Sequence, residues 1–417
     1  MARLQPVRGT HDILGDKSIR FRTIFEIFKS VAQRYNHQEI DTPIFEFTET
    51  FKRTLGDTSD VVTKEMYTFE DRGGEQVTLR PEYTAGIARA FMSNGLQQST
   101  PCKFYSFGPI FRYERPQKGR MRQFHQMDVE ILGVPEVQAD IEVIALASDL
   151  LKELGIAQHI TLELNSLGNQ ESRANYREAL VKYFTGHKGA LSEDSLKRLE
   201  KNPMRILDSK DDGDRRIVEN APRIAEYYNQ DTKDFFNAVT DGLENIGINY
   251  EINDRLVRGL DYYCHTAFEF TTDQLGAQGT VLAGGRYDGL MEMMGGPKTA
   301  GIGWAAGMER LAELVSEDIL QLPSRPVIVT PVGDDAQSHA MKICHTLRSK
   351  GIVVDMAYKG NVGKRMKRAN KQKAIFAILI GEDEISRGVA MVKNLDQGEQ
   401  EEVSLSALVE YILGHDE

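Results

Sequence analysis

Two stretches of the chain carry side chains whose types and spacing suit the binding of a phosphate and of a small polar ligand. The first runs Phe111-Arg-Tyr-Glu114, passes through a basic and polar loop, and returns as Arg122-Gln-Phe-His-Gln-Met-Asp-Val-Glu130. An arginine ending a strand presents a fixed two-pronged fork to a phosphate. In a returning strand, Gln126, Asp128 and Glu130 share one face, and Met127, Val129 and Ile131 the other. Gln126 and Glu130 then stand ~13 Å apart at ~3.3 Å per residue, a separation suited to the two ends of one small polar ligand. Read alone, the pattern also fits a half-solvated hairpin with its charges in water.

The second stretch is Gly301-Ile-Gly-Trp-Ala-Ala-Gly-Met-Glu-Arg310. Its small residues let a flat ring approach closely, and Arg310 begins a helix after an extended segment. The glycine spacing is wrong for a dinucleotide fingerprint and no βαβ unit surrounds it. Gly360-Asn-Val-Gly-Lys364 fails the phosphate-loop spacing as well. Alone, Gly301–Arg310 reads equally as a packing turn between strand and helix.

The elements that must position these residues are read from periodicity. Asp16 is placed as the cap of a helix whose apolar positions are Phe21, Ile24, Phe25, Phe28, Val31, Ala32 and Tyr35. A strand is expected over 39–47, with Pro43 marking a sheet edge or subunit boundary. Extended segments follow at 76–79, 103–114 and 124–132, a helix at about 138–154, and a strand at 160–164. Strands without regular intervening helices indicate an α+β fold with a largely antiparallel sheet. Residues from about 168 to 247 turn polar, with Leu191, Leu196, Leu199 and Ile206 at helical spacing, as in a helical insertion. Strands resume at 250–253, 266–270 and 280–283. Beyond Leu322-Pro-Ser-Arg-Pro326, a probable linker, strands at 327–330, 353–356 and 376–380 alternate with helices at 336–350 and 362–371. That rhythm predicts a small α/β domain with a mostly parallel sheet. The expected domains are 1–323, with the insertion, and 324–417.

Composition narrows the class. The 417 residues call for two or three domains, and 41% hydrophobic with 27% charged residues is a globular balance. No apolar run approaches the ~20 residues of a membrane span, and the first residues lack the apolar core of a signal peptide. Cys102, Cys264 and Cys344 form no C-x-x-C pair, so no disulfide framework or protein-held metal is expected, and a cytoplasmic location is. The net charge of −11 argues against a nonspecific nucleic-acid coat. Cations nevertheless cluster, at Arg112, Arg115, Lys118, Arg120 and Arg122, and again from Lys359 to Lys373, where no acid intervenes. The second cluster alone also fits a solvated helix face.

Taken together and in this order, the two stretches resemble motifs 2 and 3 of class II aminoacyl-tRNA synthetases. Leu256-Val-Arg-Gly-Leu-Asp-Tyr-Tyr263 and Leu282-Ala-Gly-Gly-Arg-Tyr-Asp288 resemble signatures of the histidyl-tRNA synthetase family. Pro6-Val-Arg-Gly-Thr-His-Asp12 and Leu79-Arg-Pro-Glu82 match that family too, so the resemblance covers essentially the whole chain. It departs at Tyr83, where the family commonly has glycine; bulk there either narrows the pocket or points away from it. The C-terminal α/β domain resembles the anticodon-binding domain of several class II enzymes.

The resemblance implies a class II catalytic domain that joins L-histidine to its tRNA through a histidyl-adenylate, consuming ATP with Mg²⁺ and releasing AMP and pyrophosphate. By the same resemblance, Arg112 and Arg258 hold the α-phosphate and carry catalysis. Arg310 stacks on adenine, Phe124 covers the other ring face, and Glu114 sits near the adenine amino group. Glu82, Thr84 and Gln126 bind the substrate ammonium group. Glu130 and Tyr263 bond the imidazole nitrogens, and Arg258, Tyr262 and Tyr287 line the pocket. Arg115, Gln117, Lys118, Arg120 and Arg122 meet the tRNA acceptor end, and the basic patch containing Lys364 and Arg365 lies on the anticodon side. A homodimer, built on the region around Pro43, is implied by the family. A synthetase-like regulatory subunit of histidine biosynthesis is the rival reading. The joint presence of Arg112, Arg258, Arg310 and residues 327–417 speaks against it, while Arg258–Tyr263 speaks against other class II synthetases.

Overall fold

The computed structural model describes residues 3–56, 61–117, 119–258, 262–276 and 279–415. They form two compact units, Met1–Gln321 and Leu322–Glu417.

Unit one begins with helix α1 (Asp16–Arg34), which buries Phe21, Ile24, Phe28, Val31 and Ala32. Asp16 is not its cap. Gly15, at φ 60°, takes that position without a side-chain bond, and Asp16 lies in the first turn, where its charge complements the helix dipole. The strand expected over 39–47 is two strands. β1 (Gln38–Glu39) pairs with the large sheet and β2 (Phe45–Phe47) with a small one. Pro43 lacks a donor and restricts the residue before it, so the chain breaks there and changes sheet.

The small sheet runs β2-β4-β3, from β3 (Tyr67–Glu70) and β4 (Gln76–Leu79), with α2 (Thr48–Leu55) between β2 and β3 in sequence. Helix α3 (Thr84–Ser93) follows at once. The large sheet takes β5 (Cys102–Phe111), β6 (Gln123–Leu132), β7 (Thr161–Ser166), β8 (Glu251–Ile252), β9 (Cys264–Thr271), β10 (Thr280–Arg286) and β11 (Gly301–Gly307). Its order is β1-β5-β6-β11-β10-β9-β7-β8. All neighbours are antiparallel except the short outer pairs β1·β5 and β7·β8, which is the expected α+β character.

One face of that sheet is the core. Met127, Val129, Ile131, Ile302, Trp304 and Ala306 pack there against α1 and α4 (Gln138–Glu153), and Trp304 donates its indole N–H to Val143 O at 2.9 Å. The inserted region holds α5 (Gln170–Thr185), α6 (Glu193–Lys201), α7 (Asp212–Val218) and α8 (Gln230–Asn245). Its own core gathers Tyr176, Leu180, Phe184, Leu191, Leu199 and Ile206. Helix α8 does not share that core: Val239 and Leu243 belong with α4 and the main sheet. Lys and Asp on its outer face give it the insertion's polar composition, although its inner stripe serves the main domain.

Two short helices, α9 (Leu290–Met293) and α10 (Met308–Leu314), flank β11. In unit two, β12 (Val327–Pro331), α11 (Ala336–Arg348), β13 (Val354–Met356), α12 (Val362–Lys371) and β14 (Phe376–Ile380) alternate as expected. Then α13 (Glu382–Arg387), β15 (Val389–Asn394), β16 (Gln400–Ser404) and α14 (Leu408–Leu413) follow. The sheet order is β13-β12-β14-β15-β16. It is mixed rather than mostly parallel, because β15 and β16 add two antiparallel pairings to two parallel ones. These strands are half-exposed and rich in Lys, Gln and Glu, so they lack the apolar signature of the inner three.

Candidate active site

The uncovered face of the large sheet carries a cleft of about 910 Å³. Its floor follows from register. On β6 the polar residues Gln126, Asp128 and Glu130 stand opposite Gly307, Ala305 and Gly303 on β11. On the other side they oppose Gly108, Ser106 and Phe104 of β5. Beyond β11, Ala283 and Gly285 of β10 continue the row of small residues. Residues directly opposite in a sheet share a face, so small residues leave room above the floor for polar side chains and a ligand. A Cβ at Gly303 would stand 1.7 Å from Glu130 Oε2, and one at Gly301 would stand 2.2 Å from the Tyr287 ring. The alternation of the second stretch is therefore the steric complement of the first.

At the inner end three carboxylates are almost wholly buried: Glu82, Asp128 and Glu130. Glu130 accepts from Thr84 Oγ1 at 2.6 Å and from the Tyr287 hydroxyl. Glu82 accepts from Ala85 N at 2.9 Å and from Tyr262 OH at 3.0 Å. Burial pushes Glu130 up to about 8, with the Glu82 charge adding and the Thr84 and Tyr287 bonds opposing. Burial also raises Glu82, and raises Asp128 well above the carboxylate range with help from Glu130 and Glu82. Tyr262, Tyr263 and Tyr287 pack edge to edge or tilted around this end, 4.6–6.5 Å between ring centroids. Glu82, Thr84, Gln126, Tyr262, Tyr263 and Tyr287 line the cleft, whereas Glu130 lies behind them. Thr84, grouped by resemblance with Glu82 and Gln126, donates its hydroxyl to Glu130.

Toward the open end the charges change sign. Arg112 leaves the end of β5, donates Nε to Pro81 O at 2.8 Å, and sits 5.4 Å from the Phe124 ring centroid. Arg258 pairs with Glu269, lies 5.3 Å from the Tyr263 ring, and has a buried Nε without a partner among the described residues. Arg310, in the first turn of α10, donates to Thr280 O. Burial and the nearby Arg120 guanidinium hold Arg310 below the usual arginine range. Glu114 lines the same space and pairs with Arg120 at 3.0 Å. Residues Gly259–Asp261 of the Arg258–Tyr263 segment lie outside the described residues.

Of the side chains assigned to tRNA, Arg115 and Gln117 are exposed, on and beside a tight turn closed by Gln117 and Arg120 with backbone bonds of 3.1 and 2.9 Å. Lys118 lies outside the described residues. The Arg122 side chain folds back on the turn: its Nε donates to Glu114 O at 3.2 Å and its guanidinium lies 3.8 Å from the Tyr113 ring centroid. In unit two Lys364 is exposed, while Arg365 donates to Pro331 O. Gly360–Lys364 is a helix start, with Asn361 Oδ1 accepting from Lys364 N at 3.0 Å. Tyr83 points away from the cleft; its ring lies 4.2 Å from the Arg80 guanidinium, over Gly108.

Sequence reasoning missed Glu269, Glu309 and the inserted region's wall. Glu309 fixes β6 by accepting from His125 N at 3.0 and 3.1 Å. Ser192, Glu193, Arg198, Arg205, Lys210 and Asp211 face the cleft from across the chain. Arg286 is structural: fully buried, it pairs with Asp140 and, at 3.2 Å, with Asp288, tying β10 to α4 beneath Tyr287.

Residues 9–311 match the family model for histidyl-tRNA synthetase, and residues 326–415 the model for an anticodon binding domain. The chain belongs to the histidyl-tRNA synthetase family. A histidine–tRNA ligase of Rhodospirillum rubrum is 57% identical over 99% of both chains, and one of Gluconacetobacter diazotrophicus 53% over 99% of both. The crystal structure of apo histidyl-tRNA synthetase from S. aureus has a TM-score of 0.82 and 36% identity, covering 98% of this chain and 99% of that one. No helix among the described residues is long and apolar enough to cross a membrane.

Proposed function

We propose that the protein ligates L-histidine to its tRNA, using ATP to form histidyl-adenylate and pyrophosphate and then releasing AMP on transfer. One observation carries the reading: a buried, acidic and tyrosine-lined end opens into a cationic end holding Arg112, Arg258 and Arg310, in a single cleft. The acidic end suits the ammonium and imidazole of histidine, and the cationic end suits a triphosphate.

The histidine carboxylate attacks the α-phosphorus in line, so positioning and charge stabilisation dominate over acid–base chemistry. Arg112 and Arg258 hold the α-phosphate as charge builds, and the unpartnered Nε of Arg258 gains an acceptor there. Arg310 stacks on the adenine and reaches the outer phosphates, Phe124 covers the opposite ring face, and Glu114 faces the adenine amino group. Glu130 and Tyr263 bond the imidazole nitrogens, with Thr84 or Tyr287 yielding its bond to Glu130. A pocket whose buried groups must be paired rejects apolar side chains strongly. Mg²⁺ bound with the nucleotide would shield the phosphate charge. Such an ion takes one or two carboxylates plus phosphate oxygens, and Glu269 on the cleft wall would be a donor of that kind.

Arg115, Gln117, Lys118, Arg120 and Arg122 form the acceptor-end surface, with Arg115 and Gln117 as its direct contacts, and Lys364 with Arg365 belongs to the anticodon-side patch. The catalytic domain spans 1–323 and the anticodon-binding domain 324–417; the enzyme works as a cytoplasmic homodimer. The test is exchange of labelled pyrophosphate into ATP, expected with histidine and with none of the other standard amino acids. Exchange driven by another amino acid would refute the specificity.

A further inference from the structure

The inserted region supplies more than a wall of the cleft. Its contacts close on both flanks of the segment that carries Arg258, Tyr262 and Tyr263. Before Arg258, the Arg255 side chain donates Nη2 to Glu219 O at 2.9 Å and to Ala221 O at 3.1 Å, and Asp254 pairs with Arg223. Val257 packs against two cores at once, the inserted one around Tyr176 and Leu199 and the pocket one around Tyr262, Tyr263 and Tyr287. After the segment, Arg173 on α5 donates Nη1 to Tyr263 O at 2.7 Å. Two residues on, His265 N donates to Gly168 O at 3.0 Å and His265 O accepts from Leu167 N at 2.6 Å, at the root of the insertion.

Arg173 is itself held. Asn169 caps α5 by accepting from Ser172 N at 2.9 Å, and Ser172 Oγ accepts from Asn229 N at 3.1 Å, which ties the starts of α5 and α8 together. On the opposite side of Tyr263, a Cβ at Gly285 would stand 2.9 Å from the ring, so the ring lies against β10. Tyr263 is thus clamped between β10, which meets its ring, and α5, which holds its carbonyl through a charge-assisted bond.

We propose that the inserted region sets the geometry of the amino-acid pocket, with Arg173 as a positioning residue that acts through Tyr263. This role rests on the histidine activation proposed above. Arg173 stands outside the described lining of the cleft, whereas Tyr263 lines it. A pocket that must pair ring nitrogens with fixed groups loses much of its action when one of those groups moves by an ångström. The adenine end is built differently, on β6 and α10, which Glu309 joins through His125 N.

The test is pyrophosphate exchange by wild type, Arg173→Met and Arg173→Lys. Methionine keeps the aliphatic stem and removes the donor. Arg173→Met should raise the KM for histidine about 10- to 100-fold and leave the KM for ATP at its wild-type value. Arg173→Lys keeps one donor and should recover most of the loss. A smaller folded fraction lowers the rate without moving either constant, so a merely structural role gives no such split. Amide hydrogen exchange over 262–266 should also quicken in Arg173→Met, a readout that stands whatever the substrate. Unaltered amide exchange, an unchanged KM for histidine, an equal rise in both constants, or a lysine variant no better than the methionine one would overturn the proposal. Wild-type protein without histidine-dependent exchange would instead remove the activation reading, and the amide exchange would still decide whether Arg173 holds Tyr263.

Discussion

At the residue scale, two side chains make opposite demands on the fold. Arg258 is held by Glu269 and Tyr263 at the cleft wall. Arg258→Ala should therefore lower the rate of pyrophosphate exchange by at least about 100-fold, the scale of losing one preorganised charge donor. Filter binding of tRNA should be largely preserved, and an unchanged exchange rate would refute the phosphate role. Glu130 costs stability for function. Its folded value of about 8 lies above the ordinary 4.5, so between these values the folded protein binds more protons than the unfolded chain. Its contribution is then full below 4.5 and lost as pH rises through 8. Glu130→Gln removes that slope: the variant should gain on wild type by on the order of a few kcal/mol between pH 5 and pH 8.5, while losing histidine activation. Urea denaturation at pH 5, 7 and 8.5 measures the gain, and a difference flat with pH would contradict it.

At the element scale, the cleft depends on a wall from the inserted region, and that wall hangs on Asp214. Its carboxylate accepts from Ser192 N at 2.9 Å and from the hydroxyls of Ser192, Ser195 and Ser209 at 2.6–2.7 Å. Burial alone would raise it, but the bonds from Ser195, Ser209 and Ser192 outweigh burial and hold it at about 2. The hub's stabilisation is thus present above the ordinary carboxylate range and lost only as pH falls through about 2. Asp214→Ala leaves these donors without an acceptor, which costs about 1–3 kcal/mol per unsatisfied buried group. Amide hydrogen exchange should accelerate across 192–214 while the β5–β6 core keeps its protection, and the KM for ATP should rise. Unaltered exchange in that segment would show that the wall has another anchor.

At the scale of the whole molecule, the chain separates between Gln321 and Leu322, and each unit keeps its own core. The described residues that line the cleft all belong to unit one. Removing residues 325–417 should therefore weaken tRNA charging far more than histidine-dependent pyrophosphate exchange. Parallel assays on full-length and truncated protein decide this, and equal losses would contradict the division of labour.

The sequence alone determined the α+β character, the order of most elements and the residues of both motifs, since period-two alternation on β6 and the small residues of β11 are local patterns. It also flagged Tyr83, without deciding which way the ring points. The tertiary structure decided that through the space over Gly108. It likewise decided that Glu130 lies behind Thr84 and Tyr287, that α8 belongs to the main core, and that Arg365 faces inward. Each of these depends on a partner distant in sequence: Pro331 for Arg365, Val239 and Leu243 against α4 for α8, Gly303 for the Glu130 carboxylate. Local propensity reports which face a residue takes on its own element. Which group fills the space across from it is set only when strand register brings distant segments together.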